Sequence, residues 1–279
     1  MFRRLLFFSA LSALAPAGWA QGASTPLRPE DTPAQPADAP AEDAPAPPAG
    51  PPVANWFEAQ VELHRRGYSC GSIDGVRGAQ TAEALQAFQR NEGLPPTGNL
   101  DAATRAVLLL TAEPLTTHTF TAAELAGLEP AATTWLEKSQ RSALTHASAL
   151  ELAGELSRTN PKLLRTLNPG CNWDDLLPGA TISMPAVAPF TSPLKVARIH
   201  IRLAEKVLEA TTEEGQIVLH CPVSIARNIE KRPVGELKVT VVIPNPDYTF
   251  DPAVFPESAE AQTLGRKLIL PPGPNNPVG

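Results

Sequence analysis

Aromatic residues make up only 5% of this 279-residue chain, and no apolar run reaches the roughly 20 residues that a membrane-spanning helix needs. Positive charge is in short supply too. The formal net charge is −6, so bulk electrostatics offers no reason to bind nucleic acid. Metal-ligand spacings such as H-x-x-x-H or H-E-x-x-H are missing, and His64, His118, His146 and His200 stand alone, which removes the zinc-hydrolase reading. There is no P-loop, dinucleotide fingerprint or serine-hydrolase elbow. No cofactor and no metal is therefore expected. Cysteines number three, Cys70, Cys171 and Cys221; in an oxidising compartment an odd count leaves at least one free or paired outside the chain.

What is abundant is proline, 31 residues, and its distribution exposes the organisation. Arg3 and Arg4 precede an apolar run from Leu5 to Ala15, then Pro16 and the small-x-small site Gly18-Trp19-Ala20. This is a secretory signal pattern, predicting cleavage near Ala20, export to the periplasm or cell wall, and no stable membrane anchor afterwards. Its loss removes two arginines and no acids, which takes the formal charge to −8. Residues 21–54 read as a linker: ten prolines fall there among Ala, Asp and Glu, with no aromatic. Such a segment buries too little apolar surface to offset its ordering entropy. Extended at about 3.1 Å per residue, it reaches on the order of 90 Å.

The length beyond the linker suits two or three modest domains. In the first, residues 55–112, Asn55 is a predicted N-cap with Glu58 three residues on, ahead of an apolar set at Phe57, Val61 and Leu63. The helix should end at Gly67. A tight loop through Asp74-Gly75 leads to a second helix carrying Leu85 and Phe88, with Gly93 past its end. Asp101 caps a third, with Val107 and Leu108 inward. Gly67, Asp74-Gly75, Gly78, Thr81, Phe88-Gln89, Gly93-Leu94, Gly98 and Thr104 together make this stretch resemble the three-helix peptidoglycan-binding domain. That resemblance implies peptidoglycan as partner without naming contact residues. Asp74 reads as a turn-former.

Residues 114–187 offer a strand at Thr116–Phe120, a variable stretch Gly127–His146, and two short helices, one with Leu150 and Leu156, the other with Leu163, Leu164 and Leu167. A turn at Pro178-Gly179 then leads to a strand at Thr181–Met184. The β-α-α-β order and the ending LLPGATISMP resemble a LysM domain, a fold that holds N-acetylglucosamine chains in a shallow groove. The first half departs from that pattern by about twenty extra residues.

Residues 194–279 begin with two β-rich runs, ARIHIRLAEKVLEA and QIVLHCPVSIA, joined at Gly215. Pro222–Ile225, Pro233–Gly235, Asn245-Pro246 and Ile269–Gly279 follow in an order that resembles the L,D-transpeptidase (YkuD-like) catalytic domain. The resemblance implies a cysteine thiolate that attacks wall stem peptides and an acyl-enzyme resolved by an amine. It also implies a lowered thiol pKa and oxyanion donors. The family's H-G-T and S-H-G-C-x-R segments have no counterpart among these residues, so the chain is expected to stop short of the catalytic motif and to be inactive by itself. The adjacent His220-Cys221 pair is no substitute, because neighbours on a strand point to opposite faces. Cys221 reads as a small buried apolar residue, and Cys70 and Cys171 as better placed for a disulfide than for nucleophilic attack.

The expectation is thus an α+β multidomain chain, an exported peptidoglycan L,D-transpeptidase involved in cross-linking or remodelling. The alternative is a non-catalytic peptidoglycan-binding protein. No catalytic, cofactor or metal residue is assigned within the chain, and the substrate-contacting residues are unknown.

Overall fold

The computed structural model describes residues 50–255 and 258–278. The predicted signal segment Met1–Ala20 and nearly all of the predicted linker lie outside them.

Three helices open the described chain: α1 (Trp56–Arg65), α2 (Ala79–Asn91) and α3 (Ala102–Val107). Their starts follow from the caps. Asn55 Oδ1 accepts from the Glu58 amide at 3.0 Å, and Glu58 reaches back to the Ala54 amide at 2.6 Å; Asp101 Oδ1 accepts from the Thr104 amide at 2.9 Å. Both occupy backbone donors that a helix leaves unpaired. Leu63, Leu85, Phe88 and Leu108 close the core, with Tyr68 edge-on to Phe88.

The second unit pairs β1 (Leu115–Thr119) antiparallel with β2 (Thr181–Pro185), from Leu115 opposite Pro185 to Thr119 opposite Thr181. Two helices lie between them as expected, α6 (Ala149–Leu156) and α7 (Pro161–Leu167). The inward residues of α6 are Ala149, Leu152 and Ala153, whereas Leu156 is exposed. Leu150 and Leu156 are six apart and cannot share the helix face that a spacing of three or four gives. Two further short helices precede α6, α4 (Ala122–Ala126) just ahead of the variable stretch and α5 (Trp135–Ser139) within it, each opened by a capping box, Thr121 with Glu124 and Thr134 with Glu137.

The third unit departs further from expectation. The first β-rich run is itself a hairpin, β3 (Arg198–Arg202) and β4 (Val207–Thr211), turning where Lys206 takes φ +58°. With β5 (Ile217–Pro222) this gives a sheet ordered β3-β4-β5. Regular β5 stops at Pro222, so PVSI is not a strand. Pro233–Asp247 carries no strand either, although KVTVVI has the composition of one, because β-propensity takes effect only against a partner edge. The closing strand is present: β7 (Leu268–Leu270) pairs antiparallel with β6 (Tyr248–Phe250), and α8 (Ala259–Leu264) lies between them.

The units interlock. The loop after α1 runs parallel to β5, with the Ser69 amide donating to His220 O at 2.8 Å and the His220 amide to Gly67 O at 2.9 Å. Farther along the same loop, the Ile73 amide donates to Arg158 O at 2.8 Å and Ile73 O accepts from Asn160 at 2.9 Å. One loop thus meets both of the other units. Gly67, at φ +85°, makes the first contact possible: a Cβ there would lie 2.7 Å from the Phe190 ring and 2.8 Å from Val218 O. The variable stretch packs on the third unit. Trp135 stacks on Phe250 at 4.3 Å between centroids, and Leu144 shares a core with Phe250, Leu268 and Leu270.

Candidate functional site

The first unit is held open around two fully buried glutamines. Gln60 Nε2 donates to Asp74 Oδ1 (2.9 Å), Val76 O (3.0 Å) and Thr81 Oγ1 (3.0 Å), while Oε1 accepts from the amides of Asp74 (3.1 Å) and Gly75 (2.8 Å). Gln89 does the same for the next loop, donating to Thr97 Oγ1, Asn99 O and Thr104 Oγ1 and accepting from the Gly98 amide. Each amide group is the right length to satisfy loop donors and acceptors that the core would otherwise strand. Asp74 forms the expected turn, accepting from the Val76 amide at 2.9 Å. The glutamines thus account for Asp74-Gly75, Thr81, Gly98 and Thr104 among the residues that make the stretch recognisable. Nothing in the sequence singles out Gln60, because a lone glutamine on a helix reads as surface.

Residues 53–108 are a peptidoglycan-binding domain. They match the family described as "Putative peptidoglycan binding domain". Similarity to "Localization factor PodJL" of Caulobacter vibrioides (strain NA1000 / CB15N) is 47% identity over 51 residues, 18% of this chain and 5% of that protein. The same figures hold for "Localization factor PodJL" of strain ATCC 19089 / CIP 103742 / CB 15. The domain sets a cell-wall or periplasmic context, and among the described residues no helix is long and apolar enough to cross a membrane.

Where the peptidoglycan-binding domain meets the sheet, charge is concentrated on Glu209. Its carboxylate accepts from Arg90 Nη2 of α2, from Arg202 Nη1 at 2.6 Å and faces His220 Nδ1 at 3.0 Å. Burial alone would raise its pKa. The hydrogen bonds from His220 and Arg202 and the charges of Arg90 and Arg202 outweigh that and hold it down at about 2. His220 is fully buried, and its Nε2 meets no acceptor among the described residues.

The register separates His220 from Cys221 as the strand argument requires. His220 lies opposite Glu209, on the domain-facing side, and Cys221 opposite Leu208 on the other. Burial pushes the Cys221 thiol up to about 11, away from the thiolate that nucleophilic chemistry needs. Cys70 and Cys171 do not pair. All three cysteines are free thiols, Cys70 in the first core and Cys171 against the second. The disulfide expectation fails because the two loops serve different cores. His64 accepts from the Cys70 amide at 3.3 Å, and burial, then the charge of Arg158, lower it to about 4. Among the described residues no group of three or more His, Cys, Asp or Glu is placed to hold a metal ion.

The second unit carries a groove of about 340 Å³. Trp173, Asp174 and Asp175, Ser148 at the start of α6, Leu125 of α4 and Leu128 line it. Trp173 Nε1 is buried there without an acceptor among the described residues.

Proposed function

We propose that this is an exported protein of the L,D-transpeptidase type, in which a peptidoglycan-binding domain is built rigidly onto a catalytic-type sheet. The observation that carries the reading is the shared edge. The domain's own loop extends β5 through Ser69 and His220, and Arg90 meets Glu209 beside it. A wall-binding module tethered only by a linker would bring the sheet near its substrate; one fused by backbone hydrogen bonds also fixes the angle of approach. The proline-rich loop after β7 supports the same reading. It is held by the second unit through Leu144 N to Pro272 O (3.0 Å), Asn275 N to Leu144 O (2.9 Å) and Asn275 Nδ2 to Thr145 O (2.7 Å). The groove combines apolar side chains, Leu125, Leu128 and the nearly buried Trp173, with the carboxylates of Asp174 and Asp175, a combination that a sugar ring with its hydroxyls can fill. It is the proposed glycan site.

A specific observation favours a second reading, a non-catalytic peptidoglycan-binding protein. The nearest thiol and imidazole in sequence lie on opposite faces of β5, and the thiol is poorly ionised. The two readings share one expected result and differ in another. Co-sedimentation with purified sacculi is expected to retain it under both. A stem-peptide turnover assay on the native protein from its source is expected to show cysteine-dependent release of the residue after the third position; turnover at background level leaves the binding protein.

A further inference from the structure

The variable stretch of the second unit, residues 127–146, borders the groove at one end and grips the loop after β7 at the other. Four residues that line the groove flank this stretch, Leu125 and Leu128 at its start and Ala147 and Ser148 just past its end. Its base is drawn together by the Glu129 amide, which donates to His146 O at 3.0 Å, and by Arg141, which donates to the Glu129 carboxylate at 2.7 Å and to Pro130 O at 2.6 Å. The spacing of the residues that line the groove therefore depends on that base.

The far part of the stretch belongs to the third unit. Glu260 of α8 accepts from the first two amides of α5, Trp135 and Leu136, at 3.0 Å each, where a helix leaves its donors unpaired. Trp135 stacks on Phe250 and Phe255. The strands β6 and β7 have three residues each, too few to be stable as an isolated pair, and Leu144 completes the core made by Phe250, Leu268 and Leu270. Leu144 also exchanges backbone hydrogen bonds with Pro272 and Asn275, and Asn275 Nδ2 donates to Thr145 O. The fit is close. A Cβ on Gly273, at φ +140°, would collide with the Leu144 carbonyl. Residues 144–148 are thus one short piece of backbone with the loop after β7 on its first residues and the groove on its last.

We infer that occupancy of the groove by glycan and the order of the loop at residues 271–278 are coupled through residues 144–148. A ligand that touches Leu128 and Ser148 together binds best when the base of the stretch is drawn in, and that same arrangement presents Leu144 and Thr145 to Pro272 and Asn275. It therefore favours the ordered loop. Reciprocity requires that loss of the loop's contacts weakens the ligand by the same factor. The inference rests on the groove being the proposed glycan site.

The test uses the whole purified chain and a soluble N-acetylglucosamine tetramer, with NMR shifts at residues 147–149 and 173–176 reporting binding at the groove and amide exchange at Leu144 and Asn275 reporting the loop. Asn275→Ala and Glu260→Gln release the two ends of the stretch, and neither residue lines the groove. Equal thermal unfolding checks that both variants fold. The tetramer is expected to slow exchange at Leu144 and Asn275, and each variant to bind it more weakly by roughly fivefold or more. A tetramer that binds the groove while exchange at those two amides is unchanged, or while both variants bind it as tightly as the native chain, overturns the coupling and leaves the glycan reading standing. Absence of any shift at the groove in the native chain overturns the glycan reading, and this inference with it.

Discussion

His220 and Glu209 face each other across β5 and β4 with 3.0 Å between Nδ1 and Oε1, and Arg90 of the neighbouring domain donates to the same oxygen. Glu209→Ala would strand a buried imidazole and deprive Arg90 and Arg202 of their shared acceptor. It is expected to cost about 2–4 kcal/mol, against about 1 kcal/mol for Arg90→Met, whose side chain is partly exposed. Urea unfolding of each variant measures the difference. Because the folded carboxyl sits at about 2 and its ordinary value is 4.5, this stabilisation is complete above pH 4.5 and drains as pH falls toward 2. Glu209→Gln should flatten that acid limb.

His64 places a second pH dependence at milder acidity. Its folded value is lowered to about 4 from 6.5, so the unfolded chain takes up the proton first. Stability is full above pH 6.5 and declines as pH falls toward 4, by about 1–3 kcal/mol in all. Urea midpoints measured on either side of that window, near neutrality and in mild acid, should differ accordingly, and His64→Gln should close most of the gap.

Gln60→Leu keeps volume and removes the polar head. The amides of Asp74 and Gly75 then lose their acceptor, at an expected cost of about 2–4 kcal/mol. The loop they belong to also carries Ser69 and Ile73, which hydrogen-bond to the other two units. Hydrogen exchange should therefore speed up at Ser69, Ile73 and His220 together. Faster exchange confined to Asp74–Val76 would contradict the linkage of the three units through this loop.

The thiols should react in a fixed order with a disulfide reagent in mild alkali. Cys171 lies only partly covered and its pKa is raised modestly by burial; Cys221 is pushed up to about 11; Cys70 is buried and raised further. Labelling is expected first at Cys171, slowly at Cys221, and at Cys70 only as the first core opens. Rapid labelling of Cys221 would mark it as activated.

Much of the local structure is legible in the sequence because its causes are local. Asn55 and Asp101 cap the helices that their positions predict, Asp74 makes its own turn, and Leu268–Leu270 is a strand. The departures share a different cause. KVTVVI has the composition of a strand and pairs with no edge among the described residues, so its propensity is unexpressed. Cys70 and Cys171 sit in similar loops and serve separate cores. The hairpin β3–β4 carries no turn signal because Lys206, not a glycine or asparagine, takes the left-handed position.

The peptidoglycan-binding domain is legible along the chain, since its glycines, capping residues and buried Phe88 act within a few residues of one another. What that domain is attached to emerges only once the units pack. Ser69 meets His220 and Arg90 meets Glu209 across more than a hundred residues, and such contacts leave no periodicity or motif, because they depend on which surfaces the folded units bring together.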